Sequence, residues 1–314
     1  MRNILILGGT GFVGRAVCER LVQTGLGEGG HLTVPSRRPQ RALKLQTLPG
    51  VRVVAADVHR DADLDALVAE ADAVVNLVAI LHGSEAAFEA VHVGLPRRLA
   101  AACQRAGVKR LVHVSALGVG PNAPSHYLRS KTAGEAVLRA AHLDLTVLRP
   151  SVIFGEEDRF LNLFASLQAV FPLMPLAGAH ARFQPVWVGD VAEAIVRCLH
   201  TPSTVGDTYE LAGPAEATLG QLVRAAGAWA GHPRTIVPLP EALGQLQALA
   251  MAVLPGEPLM SRDNLASMRV PNVATGTLPG LTELGIAPAS LQGVMQPWLS
   301  GRSGCTRLDV LRRH

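Results

Sequence analysis

Tyrosine and lysine are nearly missing from this chain of 314 residues, which holds two of the first and three of the second. Aromatic residues together reach only 4%, so a core of any size must be built from Ala, Leu and Val. Cysteine is scarce as well. Cys18, Cys103, Cys198 and Cys305 lie far apart, with no CxxC or Cys/His ligand spacing. That excludes a disulfide framework and suits reduced thiols in a cytosolic compartment. The 11 histidines are scattered and no HExxH occurs, so a metal site has no support. The basic residues are almost all Arg, the formal charge is only +4, and no dense run precedes the C-terminus. Nucleic acid is therefore not expected as the main partner. No apolar run reaches the ~18 residues of a membrane span. The strand-like "RNILILGG" opens the chain, so no cleaved leader is expected.

Nearly half the residues are apolar, and 314 residues suit one large α/β unit with an elaborated end. Short β-rich runs fall at 3–7, 31–36, 51–56, 73–79, 110–115 and 144–150. Helical segments lie between them, among them 14–25 and 86–107. This alternation predicts a parallel sheet with helices on both faces, and ligands at the carboxyl ends of its strands. Beyond residue 150 the pattern loosens into Pro-rich connections and helical segments near 189–200, 218–231 and 241–254. A further strand candidate, "TYELAG" (208–213), is expected to return to the sheet.

"LILGGTGFVGRAV" places Gly8, Gly11 and Gly14 at three-residue intervals between the first strand and the first helix. The first allows a tight turn, the second lets backbone approach a pyrophosphate, and the third lets helix and strand pack closely. With Phe12 and Val13 they open a helix whose free N–H groups suit an anion. The reading is a Rossmann-type, doubly wound dinucleotide domain over 1–150, with a smaller substrate-side region over 151–314. A carboxylate for the ribose 2′-hydroxyl is expected about 20 residues on. None occurs between Glu28 and Asp57, and "VPSRR" stands there instead. Arg37 and Arg38 suit a 2′-phosphate, which favours NADP(H) over NAD(H). The alternative is a solvated basic loop. Asp57 and Val58 end the third strand, where they either meet the adenine or, for Asp57, cap a turn. Leu77, Val78 and Ala79 end the fourth and should border the cofactor ribose.

"YLRSKTAGE" (127–135) carries one of the two tyrosines and one of the three lysines. Positions i and i+4 share a helix face. An ammonium beside Tyr127 would lower its pKa from about 10 toward working pH and make it an acid/base candidate. Lys131 could also hold the nicotinamide ribose. Ser115, ending the fifth strand, either orients a substrate oxygen or satisfies backbone at a strand end. Pro150 and Ile153, in "RPSVIFG", complete the cofactor candidates.

GxxGxxG after the first strand, Ser115, the YxxxK pair and "RPSVIFG" together resemble the extended short-chain dehydrogenase/reductase superfamily. "RPSVIFGEEDRFLNLFAS" (149–166), "QPVWVGDVA" (184–192) and "LPGLTELGI" (278–286) narrow this. With "YLRSKTAGE" they resemble the nucleotide-binding accessory subunit family of respiratory complex I and its bacterial relatives, over nearly the whole chain. The resemblance implies a tightly held NADPH, a structural role for the nucleotide in the mitochondrial subunit, and links to quinones and quinone-bearing membranes in relatives. The mitochondrial transit segment and much of the C-terminal extension are not matched. A bacterial cytoplasmic protein, peripheral to the inner membrane at most, is expected.

Two features stay open on residues alone. The charges of "GEEDRFLN" (155–162) either line a cleft or fix the loop by ion pairs. "EALGQLQALAMAVLP" (241–255) is a buried helix or an interfacial one, beside a basic tail that suits anionic lipid. Three functions fit: an NADP(H)-dependent oxidoreductase with Tyr127, Lys131 and Ser115 at its centre; a non-catalytic nucleotide-holding assembly protein; and a nucleotide-sugar epimerase or dehydratase.

Overall fold

Short apolar runs buried on both faces behave as parallel strands, and seven of them join one sheet in the computed structural model of the chain. The structure describes residues 2–25, 29–253 and 260–301, so Cys305 and the basic tail lie outside the described residues. Contacts divide the chain into two units. The first comprises residues 1–150, 188–211 and 275–286, the second 151–187, 212–274 and 287–314.

The first unit holds strands β1 (Asn3–Leu7), β2 (His31–Ser36), β3 (Val51–Ala55), β4 (Ala73–Asn76), β5 (Arg110–Val114), β6 (Asp144–Pro150) and β7 (Thr208–Leu211). All pairs are parallel and the order is β7-β6-β5-β4-β1-β2-β3. The order reverses between β1 and β4, which places a ligand crevice at their carboxyl ends. Strands read from sequence as 51–56, 73–79, 110–115 and 208–213 leave the sheet earlier, at 55, 76, 114 and 211.

Helices α1 (Phe12–Thr24), α2 (Asp61–Ala69), α3 (Glu85–Glu89), α4 (Leu95–Ala106), α5 (His126–Arg139) and α6 (Val188–His200) cover the sheet. On one face Leu5, Leu7 and Val74 pack with Leu64, Val68, Leu95, Leu99 and Leu138. On the other, α1 lies along α6.

The helix expected over 86–107 is two helices joined by a π-helical turn, Ala90–Gly94. Pro96 supplies the reason. It has no N–H to give the carbonyl of His92, four residues back, and its ring crowds that carbonyl in a regular α-helix. Widening the turn relieves both.

The second unit has its own core, with Phe154, Leu161, Phe164, Leu176, Leu219, Leu222 and Leu299 at its centre. Asp158 holds part of the "GEEDRFLN" loop. Its buried carboxylate accepts from the backbone N–H groups of Gly155, Phe160 and Asn162 at 2.9–3.2 Å. The loop is therefore held by backbone hydrogen bonds around one aspartate.

The helix α7 (Glu241–Val253) carries the segment left open between burial and an interface. Leu243, Leu246 and Leu249 are 51%, 62% and 53% exposed, while Gly244 lies against Ala177 so closely that a Cβ would come within 2.8 Å of its side chain. Among the described residues, no helix is long and apolar enough to cross a membrane, and no cluster of metal-ligating side chains occurs.

Candidate functional site

The glycine loop follows β1 directly. Gly8 has φ +81°, a conformation L side chains avoid, and a Cβ there would lie 3.1 Å from the Leu77 backbone carbon. At Gly14 a Cβ would fall 2.4 Å from both the Gly8 carbonyl oxygen and the Gly9 Cα. Turn and helix start are thus in backbone contact. Gly11 caps α1 without a side-chain hydrogen bond, leaving the first N–H groups of the helix for an anion. Phe12 and Val13, partly buried, begin that helix.

Arg37 and Arg38 are exposed just after β2. Neither guanidinium has a hydrogen-bond or ion-pair partner among the described residues; Arg38 donates only its backbone N–H, to Ser36 Oγ. Asp57 acts as a turn cap: its Oδ1 accepts from the His59 N–H at 3.0 Å, and its own N–H donates to Asp63 at 2.9 Å. Val58 packs on the core. Leu77 donates its N–H to the Leu7 carbonyl at 2.9 Å, and Val78 to Asn76 Oδ1 at 3.2 Å, so the segment through the exposed Ala79 leaves β4 beside the glycine loop. Pro150 ends β6 and accepts from the Leu117 N–H at 3.0 Å. Ile153 belongs to the second unit, in a short parallel pairing with Val186.

Ser125 caps α5, accepting from the Leu128 N–H at 3.2 Å, and the helix brings Tyr127 and Lys131 to one face. Lys131 is 2% exposed and donates from Nζ to the Val114 carbonyl at 3.1 Å. This fixes the helix to the end of β5. Ser115 is the next residue; its N–H donates to Leu148 O at 2.7 Å, and its buried Oγ has no partner among the described residues. The N–H of Ser115 is thus satisfied without its hydroxyl, which is left available.

The titration behaviour corrects one expectation. Burial pushes the Tyr127 phenol up, to about 12, rather than toward neutrality. Burial likewise pulls Lys131 down to about 8, opposed by the Glu135 carboxylate. Here desolvation outweighs attraction between the pair. The phenol of the free chain therefore holds its proton, and the lysine titrates within working range.

Five buried residues around this pair escaped the sequence reading. Glu135, one turn past Lys131, makes a two-pronged pair with Arg149 at 2.9 and 2.6 Å. Its spacing from Tyr127, i+8, was a usable signal. Asn76 lies 3.1 Å from His113 Nδ1, and with its Oδ1 occupied by Val78 its amide is the donor. The His113 proton then sits on Nε2, which has no partner among the described residues. Burial and Lys131 hold His113 well below its usual pKa. His92, on the π turn, and Ser130 complete the set, hydrogen-bonded at 2.8 Å. Only the tertiary fold brings them together.

Comparison with known proteins settles the family. The NAD(P)H-binding family matches residues 8–202. The chain belongs to that NAD(P)H-binding family. It is 33% identical, over 98% of its length and 79% of the relative's, to mitochondrial NADH dehydrogenase (ubiquinone) 1 alpha subcomplex subunit 9 of Mus musculus. It thus shares the family of that complex I subunit, within the extended short-chain dehydrogenases/reductases. A ceramide reductase of Caulobacter vibrioides is 31% identical over 63% of this chain and 61% of its own. Among solved structures, a dTDP-glucose 4,6-dehydratase from Streptomyces venezuelae superposes with a TM-score of 0.72 at 20% identity, covering 95% of each chain. That likeness carries the fold alone. The residues present fit the dinucleotide this family binds: the glycine contacts leave no room for side chains at the turn after β1, and α1 starts without a side-chain cap.

Proposed function

We propose that the chain is an NADP(H)-dependent oxidoreductase in quinone-linked or respiratory metabolism. Tyr127, Lys131 and Ser115 form its acid–base centre. The observation that carries the cofactor preference is the unpartnered pair Arg37 and Arg38 after β2, where no carboxylate stands to meet a 2′-hydroxyl. Two free guanidinium forks suit a 2′-phosphate and gain nothing from a hydroxyl. Gly8, Gly11, Phe12, Val13 and Gly14 would hold the pyrophosphate. Asp57 and Val58 would border the adenine, and Leu77, Val78, Ala79 and Pro150 the ribose and nicotinamide.

A bound nicotinamide would supply or accept hydride. The chain's own residues manage the proton and the substrate. Tyr127, held protonated by burial, would donate its proton to a developing alkoxide or quinol oxygen. Lys131 holds the ribose and stabilises the phenolate as it forms. The free Ser115 hydroxyl positions the acceptor oxygen. The test compares wild type with Tyr127→Phe for NADPH oxidation against a panel of quinones and carbonyl compounds, with NADPH and NADH affinities by calorimetry. Tighter NADPH binding and turnover lost in the variant are expected. Equal affinities sink the NADP(H) assignment, and equal turnover sinks the role of the phenol.

A second reading, a nucleotide-holding assembly protein, draws on the mitochondrial relatives, which are named as subunits of a larger dehydrogenase. It predicts bound NADPH with no turnover in either protein. A bacterial cytoplasmic location, with peripheral contact to a quinone-bearing membrane, accompanies either reading. An epimerase or dehydratase activity has only fold-level likeness behind it.

A further inference from the structure

We propose that His92 is a positioning residue of this site. Its neutral imidazole, protonated on Nδ1, ties the segment after β4 to the helix that carries Tyr127 and Lys131. The inference rests on the nucleotide-binding reading above and adds a residue to it.

The hydrogen bonds fix the tautomer. Ile80 donates its backbone N–H to His92 Nε2 at 3.1 Å, so that nitrogen bears no proton. The proton is then on Nδ1, which donates to Ser130 Oγ at 2.8 Å, and the Ser130 hydroxyl donates in turn to the Tyr127 carbonyl at 2.8 Å. One imidazole thus spans two elements through opposite edges. Ile80 directly follows Leu77–Ala79, and Ser130 stands between Tyr127 and Lys131. The ring also packs edge-on against the Tyr127 ring, centroids 5.5 Å apart, and at 5.6 Å from Phe88. His92 is 2% exposed.

The backbone is shaped to the same end. The π turn that Pro96 imposes brings the His92 carbonyl against Gly134 of α5, where a Cβ would lie 2.0 Å from the oxygen. Side chain and carbonyl of one residue therefore both bear on the catalytic helix, one near Ser130 and the other a turn further on. π turns recur at functional sites. His92 touches none of the groups assigned to proton transfer except the flank of the Tyr127 ring, so it acts by holding them in place.

The test uses the full chain. His92→Phe keeps the ring and its aromatic contacts but loses both hydrogen bonds. His92→Asn keeps a short side chain with one acceptor and one donor. Affinities for NADPH and for adenosine 2′,5′-bisphosphate, the half of the cofactor without nicotinamide, are measured by titration. His92→Phe is expected to weaken NADPH about tenfold and leave the bisphosphate unchanged, with His92→Asn recovering most of the loss. A merely structural role would weaken both ligands together, and that result, or unchanged NADPH affinity, overturns the inference while nucleotide binding stands. A wild type that binds no NADPH removes the nucleotide reading and this inference with it. Should His92→Phe not fold, imidazole 15N shifts of the wild type decide: Nδ1–H supports the proposal, and Nε2–H or a protonated ring at neutral pH ends it.

Discussion

At the scale of single residues, burial governs the chemistry more than charge pairing does. His92 has a folded pKa of about 3 against an ordinary 6.5, set first by burial and then by Lys131. Between those values the unfolded chain binds a proton that the native chain refuses, so stability rises with pH through this window and is lost as pH falls below 6.5. His113, displaced the same way, adds to the effect. Acid should therefore weaken the fold by on the order of 3 kcal/mol between about pH 6.5 and 4. Denaturant unfolding at several pH values measures it, and a profile flat over that range would contradict the buried neutral imidazoles. Gly14 gives a second residue-scale prediction. Its Cβ would meet backbone at 2.4 Å on two sides, and backbone cannot rotate away as a side chain does. Gly14→Ala should cost about 1–3 kcal/mol and abolish measurable NADPH binding. Thermal melting with a nucleotide titration checks both.

At the scale of elements, the junction of α3, the π turn and α4 bears on where α5, the helix of Tyr127 and Lys131, sits. Gly134 is there because the His92 carbonyl needs its space. Gly134→Ala would improve helix propensity by up to about 1 kcal/mol if the position were free. Here it should destabilise the chain and lower NADPH affinity together, and a stabilised variant would refute the contact. This junction also marks what the sequence could reveal. The β–α alternation and the glycine spacing made the sheet and the loop legible, because period and turn chemistry are local. The spacing of Tyr127 and Lys131 was legible for the same reason. The reversal of the Tyr127 shift was not, since it depends on how much protein surrounds the phenol. The roles of His92, His113 and Asn76 were equally hidden, because they arise from contacts between residues 37 and 38 positions apart. Pro96 was a visible warning against one continuous helix over 86–107.

At the scale of the whole molecule, helix α7 in the second unit sets three exposed leucines on one stretch of chain. Leu243, Leu246 and Leu249 recur at three-residue spacing and are all about half exposed or more. Burying such side chains is worth about 1.5–3 kcal/mol each when complete, so partial insertion of three leucines suffices for reversible attachment to a lipid surface. The helix itself contains no Lys or Arg. Any attachment through it should therefore be apolar in origin and survive salt at about 0.5 M, where surface charge attraction is largely screened. Sedimentation with quinone-bearing liposomes should carry down the wild type at both low and high salt. Replacing the three leucines by Ser should release it without loss of NADPH affinity, because none of them lies among the residues assigned to the nucleotide. A wild type that stays in the supernatant would rule out attachment through this face. Binding that vanishes with salt would shift the attachment to the chain's basic residues.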